Sequence, residues 1–146
     1  MRRTQTQRVE DVRQRILRCL WFDQGFVKPA GQPFKLDDGR TLRVFSPGWW
    51  NLETGPDFRN ACFRFGSEPV LKGSVEVHLR ASEWEGRGHN KNVEYNSVVL
   101  HLCLWNDTGK GSVTTAAGAT IPQLTVEPYL SEESIADFRE AAERVA

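Results

Sequence analysis

Four side chains in the middle of the chain have types and spacing that could perform chemistry: Asp57, Glu76, His78 and His89. Asp57 follows a Gly-Pro pair. Because proline fixes its own φ and disfavours the helical conformation of the residue before it, this acid is presented rigidly where a turn becomes a strand. In the segment 75–79 (VEVHL), strict alternation puts Glu76 and His78 on one face of a strand and the aliphatic side chains on the other. We therefore expect the two acids and the imidazole to approach one another.

Such a set of side chains is what a metal-dependent phosphodiesterase needs. Mg²⁺ takes oxygen ligands from one or two carboxylates and keeps several waters, while a neighbouring base or cation positions the attacking water. Asp57 and Glu76 are therefore candidate ligands of Mg²⁺ or Mn²⁺, and His78 is the candidate to orient or deprotonate water. The alternative is that Glu76, His78 and Arg80 form the solvated side of an exposed strand, which is the commoner situation for alternating polar residues.

The other two histidines lie in different surroundings. His89 is in a glycine-rich loop, where it either closes over the site as a catalytic residue or is simply solvated. His101 lies inside an apolar strand, so we expect it to be buried and hydrogen-bonded to the backbone. No Ser-His-Asp order, P-loop or GxGxxG occurs, so the sequence does not support acyl transfer or nucleotide binding by those devices.

An amphipathic helix precedes these residues and another follows them. Apolar residues at helical spacing predict a helix over residues 7–22 that covers one side of a sheet. The stripe consists of Val9, Val12, Ile16 and Leu20. Ser131 is the predicted N-cap of a closing helix whose stripe includes Ile135 and Phe138.

Between the helices, turn signals separate several predicted strands. They lie at residues 41–45, 61–65, 70–79, 98–105 and 121–126. The short turn at 66–69 predicts that its two flanking strands are antiparallel, and the unbroken apolar run 98–105 predicts a central strand. Pro122 predicts an edge position for the last strand. This order of elements predicts an α/β (α+β) fold with a mixed central sheet flanked by helices.

The bulk properties restrict the possible functions. A chain of 146 residues is the size of one domain, and 19 basic against 19 acidic residues remove the global attraction typical of non-specific nucleic-acid binders. No apolar run approaches the ~20 residues of a membrane helix and no secretory h-region is present, so we expect no membrane partner and a cytoplasmic location. The three cysteines lie far apart, which indicates neither a disulfide framework nor a structural zinc site.

Spaced residues across most of the chain resemble a known family. They are Asp38-Gly39, Pro47-Gly48 with Asn51, Gly55-Pro56-Asp57-Phe58 with Ala61, Gly73, Val75-Glu76-Val77-His78, Trp84, His89, Tyr95-Asn96 and the segment 98–101. From its first helix to about Tyr129, the chain is similar to the bacterial family known as domain of unknown function 2851. Members of that family are longer. The resemblance therefore implies that residues 1–146 form a single nuclease-like domain that corresponds to the N-terminal part of a longer architecture.

That family in turn resembles, more remotely, the PD-(D/E)XK nuclease superfamily. The superfamily core is a helix, antiparallel strands, a second helix and a further strand, so the resemblance implies a restriction-endonuclease-like core. Asp57 matches the acid that opens the second core strand, Glu76 matches the acid of the third, and Glu10 matches the helical acid. The implied activity is Mg²⁺- or Mn²⁺-dependent hydrolysis of DNA or RNA.

Two places depart from these patterns. His78 stands where the superfamily has lysine. Arg87-Gly88-His89 followed by Asn92 stands where the nearer family has His-x-His followed by an acid. Two hypotheses therefore remain open: a metal-dependent phosphodiesterase that acts on nucleic acid, and a catalytically inactive nuclease-fold domain for binding or scaffolding.

Overall fold

A computed structural model describes residues 2–145, which form three α-helices and eight strands. The helices are α1 (Gln5–Asp23), α2 (Glu83–Gly86) and α3 (Glu132–Arg144). The strands are β1 (Phe34–Lys35), β2 (Thr41–Ser46), β3 (Trp49–Trp50), β4 (Phe58–Phe65), β5 (Leu71–Arg80), β6 (Val98–Trp105), β7 (Ser112–Thr114) and β8 (Thr120–Thr125).

These strands form one mixed sheet in the order β1-β2-β4-β5-β6-β8-β7, with β3 paired to β4 beside this path. β4 and β5 are antiparallel, whereas β5 with β6 and β6 with β8 are parallel. Parallel neighbours require a crossover connection. The crossover between β5 and β6 is the segment 81–97, whose Trp84 packs against His101 of β6. The predicted mixed sheet flanked by helices, with β6 in its centre, is confirmed.

One face of the sheet carries the main hydrophobic core. Leu17 and Trp21 of α1 and Phe138 of α3 pack in one cluster with the aliphatic side chains of β5 and β6. None of the helices within residues 2–145 combines the length and apolarity that crossing a bilayer requires.

The buried stripe of α1 differs from the predicted one. The buried residues are Gln14, Leu17 and Trp21, while Ile16 and Leu20 pack at the margin of the core. Gln14 and Trp21 are tolerated inside because both polar groups are satisfied. The Gln14 amide donates to the carbonyl of Val77, and the Trp21 indole N–H donates to the Pro47 carbonyl at 3.0 Å. The stripe predicted from aliphatic residues alone therefore lies on a different side of the helix from the stripe that is buried.

The opposite face of β5 is buried as well. Glu76 and His78 are only 5% and 2% exposed, respectively. They lie on the face that the crossover 81–97 covers, where Trp84 and Tyr95 belong to a second, smaller apolar cluster. The interpretation of this face as the wet side of an exposed strand is therefore wrong, because alternation alone does not show what covers a polar face.

The edge position expected for β8 is also wrong. β8 pairs with β6 on one side and with β7 on the other, and Pro122 stands opposite Ser112. β7 has only three residues, Ser112–Thr114, which is too short a run for periodicity to identify as a strand.

Candidate metal centre

Asp57 is fixed to β5 by both its backbone and its side chain. Gly55 has a φ of 103°, so the chain turns just before the acid in a conformation that glycine adopts readily. The backbone N–H of Asp57 donates to Oε1 of Glu76 at 3.1 Å, and its Oδ2 accepts from the backbone N–H of Val77 at 2.8 Å. Arg18 of α1 lies against the other oxygen, with 3.0 Å between Nε and Oδ1. Oδ2 of Asp57 is therefore hydrogen-bonded, whereas Oδ1 has an ion-pair contact with Arg18 that lacks hydrogen-bond geometry.

Three other side chains converge on one point. Oε2 of Glu76 lies 2.8 Å from Nε2 of His89 and 3.3 Å from Nε2 of His78. One donor atom from each of the three residues lies within 4.8 Å of the other two, and all three residues are buried. Glu76 and His78 come from β5, whereas His89 comes from the crossover, in a 3₁₀ turn that follows Gly88 at a φ of 74°.

His89 is held by aromatic rings rather than by hydrogen bonds. Its ring stacks on Tyr95 with 3.6 Å between centroids, and the ring of Trp84 stands edge-on at 5.4 Å. Among residues 2–145 neither of its buried nitrogens has a hydrogen-bond partner, although Nε2 is so close to Glu76. The contact with Glu76 is therefore one of proximity without hydrogen-bond geometry, and it leaves a buried imidazole nitrogen unsatisfied.

His78 is the near end of a buried series of hydrogen bonds. Its Nδ1 lies 2.8 Å from Nε2 of His101, and Nδ1 of His101 lies 2.8 Å from Oε1 of Gln123. Nε2 of Gln123 then donates to Oδ2 of Asp37 at 2.8 Å. The expectation that His101 bonds to the backbone is wrong, because its ring nitrogens contact two side chains.

Burial dominates the protonation of these groups. It raises the pKa of Asp57 to about 7, an effect strengthened by the charge of Glu76 and opposed by Arg18 and the Val77 N–H. For His78 and His101, burial lowers the pKa to about 3. Both imidazoles are therefore neutral at neutral pH, so in each ring one nitrogen is a donor and the other an acceptor.

Asp57, Glu76, His78 and His89, the four predicted site residues, thus lie together in space. Arg80, at the end of the same strand face, instead pairs with Glu10 of α1 at 3.2 Å. Glu10 lies at this ion pair and not in the cluster.

Sequence reasoning missed four residues that complete the cluster: Arg18, Tyr95, His101 and Gln123. Arg18 is one of several arginines in the first helix, and the sequence alone does not show which of them meets a buried acid. His101 and Gln123 are polar residues inside apolar strands, and a buried polar side chain needs a partner. This requirement could have predicted a contact between His101 and Gln123 from the sequence.

A groove of about 870 Å³ lies between α1, β5 and α2, and its lining does not include Glu76, His78 or His89. Glu83 and Arg87 line it, and both act electrostatically on His78. Arg18, the partner of Asp57, lines it as well. The groove therefore shares these side chains with the environment of the buried cluster.

Comparison with known proteins gives one match. No curated protein and no solved structure matches the chain, so the restriction-endonuclease-like core stays a prediction. The model of the family DUF2851, described as a protein of unknown function, matches residues 14–145, a range that contains the whole cluster from Arg18 to Gln123. By this match over most of its length, the chain belongs to the DUF2851 family.

Proposed function

We propose that the protein is a metal-dependent phosphodiesterase that acts on DNA or RNA, with the metal held by Glu76, His78 and His89. One observation carries the proposal: three buried donor atoms converge, and within residues 2–145 one of them, Nε2 of His89, has no hydrogen bond. A buried imidazole nitrogen without a partner is costly, and a bound cation would satisfy it.

The donor set favours a particular class of cation. Two imidazole nitrogens and one carboxylate oxygen suit Zn²⁺ or Mn²⁺, and they are the ligand types of catalytic His₂Glu zinc sites. Mg²⁺ prefers oxygen ligands. Within residues 2–145, Asp57 is not part of this group of donor atoms, and its Oδ2 already accepts from the Val77 N–H. We therefore propose a cation that binds imidazole in place of the Mg²⁺ expected from Asp57 and Glu76.

Asp57 is then the candidate general base. A bound cation would supply an activated water at neutral pH. The pKa of Asp57 is raised to about 7, which is where a general base works best, and the neighbouring cation would keep the carboxylate unprotonated. His78 is not available for that role because both of its ring nitrogens face other groups of the site.

The phosphodiester substrate is proposed from the groove between α1, β5 and α2. Its lining includes four arginines, Arg3, Arg15, Arg18 and Arg87, beside three acids. Arg3 pairs with Asp11 and Arg87 with Glu83, so phosphate would have to compete with these carboxylates. Guanidinium groups bind phosphate oxygens in a two-pronged geometry that lysine cannot reproduce. Arg15 is exposed, and Arg18 reaches from the groove to Asp57, which supports a path for phosphate towards the cluster.

A second candidate is a metal-holding or binding domain without turnover. Deep burial favours it, because Glu76, His78 and His89 are only 5%, 2% and 6% exposed, and the crossover 81–97, which carries His89, covers the other two. Histidine at position 78, in place of the lysine that the nuclease superfamily carries, is consistent with this alternative.

Metal-dependent stability followed by cleavage assays tests the proposal. At a Zn²⁺ or Mn²⁺ concentration of about 100 Kd, binding adds about 2.7 kcal/mol to the free energy of unfolding. We expect a rise in Tm of roughly 5–10 °C for wild type, but little rise for Glu76→Gln or His89→Asn. Glu85→Gln, an exposed acid on the same crossover, is the matched control and should respond like wild type.

The same proteins are then incubated with fluorescently labelled DNA and RNA, single- and double-stranded. Cleavage by wild type and the control, absent in both site variants, supports the phosphodiesterase. Metal binding without cleavage of any of these substrates favours the second candidate. No stabilisation by any of the cations would contradict both.

A further inference from the structure

A series of polar side chains, buried except for the half-buried Asp37, leads from the candidate metal centre across β6 to β8 and beyond. We call His78, His101, Gln123 and Asp37 the imidazole relay. His101 and Gln123 are 0% and 1% exposed. Each link of the relay is 2.8 Å long. A fully connected polar network in a sheet core fixes the orientation of every member.

Asp37 sets the direction of the relay at its far end. A carboxylate only accepts hydrogen bonds, and this one takes donors from Gln123 Nε2, Thr125 Oγ1 and Asn106 Nδ2 at 2.8, 2.7 and 3.1 Å. The backbone N–H of Thr125 donates to its other oxygen at 3.1 Å. Because the amide nitrogen of Gln123 faces Asp37, its carbonyl oxygen must face His101.

The order of donors and acceptors continues through the two imidazoles to the metal centre. Oε1 of Gln123 only accepts, so Nδ1 of His101 carries the hydrogen. The ring is neutral in its buried position, so its Nε2 accepts, and Nδ1 of His78 is the donor. Nε2 of His78 therefore bears the lone pair and faces an oxygen of Glu76 at 3.3 Å.

We infer that His101, Gln123 and Asp37 are positioning residues that hold His78 in the Nδ1–H tautomer, so that its Nε2 lone pair is presented to a divalent cation shared with Glu76 and His89. The inference rests on the proposed function and deepens it. Two acceptors that face each other repel, and a cation between them turns this repulsion into two coordinate bonds. The relay thereby favours Zn²⁺, which binds neutral imidazole, over Mg²⁺.

Imidazole NMR reads the tautomer directly. The sequence has three histidines, so long-range ¹H–¹⁵N spectra of the metal-free wild type at pH 7.5 contain only three rings. We expect His78 and His101 to carry their hydrogens on Nδ1 alone. A hydrogen on Nε2 of His78, alone or together with one on Nδ1, would overturn the inference.

Gln123→Leu removes the acceptor at similar volume. His101 is then free to carry its hydrogen on Nε2 and to donate to His78, which places the hydrogen of His78 on Nε2 and blocks the metal. We expect the affinity for Zn²⁺ alone, measured by calorimetry, to fall about 10–100-fold, as is typical when a hydrogen-bond partner of a metal ligand is lost. Unchanged affinity together with an unchanged tautomer would contradict the role of the relay.

The double variant Asp37→Asn with Gln123→Glu is the matched control. This variant exchanges the carboxylate and the amide between positions 37 and 123, so the net charge is unchanged. A carboxylate oxygen still faces Nδ1 of His101. We expect it to keep the wild-type tautomer and Zn²⁺ affinity, which a merely structural role of Gln123 would not predict. If wild type binds neither Zn²⁺ nor Mn²⁺, the proposed function fails. The tautomer of His78 is still read in the metal-free protein, so the two claims fail separately.

Discussion

Among single residues, Asp57 is an acid whose pKa the fold raises strongly. Burial and the neighbouring carboxylate of Glu76 raise its pKa from 3.8 to about 7. Arg18 and the Val77 N–H oppose this shift but do not cancel it. Without a cation, the folded protein therefore holds two carboxyl groups in contact, which disfavours the ionised pair at neutral pH. A metal ion would relieve this repulsion.

Asp57→Asn tests this electrostatic account in the metal-free protein. Because the pKa in the folded state lies above the unfolded value, the native protein binds more protons between about pH 4 and 7. Wild-type stability should therefore fall, relative to the variant, as pH rises through that window, by about 1–3 kcal/mol in total. Urea unfolding in the presence of a chelator, at intervals from pH 4 to 7.5, measures this difference.

The matched control for that titration is Asp38→Asn. Asp38 lies in a turn, where its hydrogen bonds with Arg40 lower its pKa. The sign is then opposite: any stability that Asp38 contributes is present at neutral pH and is lost as pH falls. If the free energy of unfolding of wild type minus that of Asp57→Asn stays constant or rises as pH increases, the raised pKa of Asp57 is contradicted.

Among the elements, the contact between β5 and β6 positions the site. β5 carries Glu76 and His78, and β6 carries His101 in parallel register beside them. The register shifts after Ser74, which leaves Val99 as an extra residue in β6. A Cβ atom on Gly73 would lie only 2.5 Å from a methyl group of Val99, so the Val99 side chain fits there because position 73 has no side chain.

Gly73→Ala should therefore destabilise the protein by about 1–3 kcal/mol through overpacking. The free energy of unfolding in urea measures the loss. Val99→Ala removes the methyl groups in the way, so adding it to Gly73→Ala should recover part of the loss. Equal or greater destabilisation in the double variant would show that the contact is not the cause.

Several elements could be predicted from the sequence because their signals are local. Alternation in β5 placed Glu76 and His78 on one face, and the Gly-Pro pair before Asp57 indicated an acid at the start of β4. The predicted helix over 7–22 agrees with α1 (Gln5–Asp23) to within a few residues. Such patterns depend only on neighbours along the chain.

The remaining features depend on contacts between distant segments. The pairing of His78 with His101 requires β5 and β6 to be parallel neighbours, and Gln123 enters only because β8 lies beyond them. Burial of Glu76 depends on the crossover 81–97, whose path no periodicity describes. The position of His89 follows from contacts within this crossover, stacking on Tyr95 and the edge-on ring of Trp84, which no periodicity reveals.

At the scale of the whole molecule, the two faces of the sheet have different contents. The face covered by α1 and α3 holds the main apolar core. The face covered by the crossover holds the imidazoles, the buried carboxylate and only a small apolar cluster. This division separates packing from chemistry, so substitutions among the buried polar residues can be tested for metal binding while the main core stays intact.

Crystals grown with Zn²⁺ and measured at the zinc absorption edge test the central claim most directly. An anomalous difference map locates the metal without reference to any assumed ligand. The account predicts one strong peak at roughly 2.0–2.2 Å from Oε2 of Glu76 and from Nε2 of both His78 and His89. A map with no peak at this cluster, or with a peak bound by Asp57 and Glu76 without either imidazole, would contradict it.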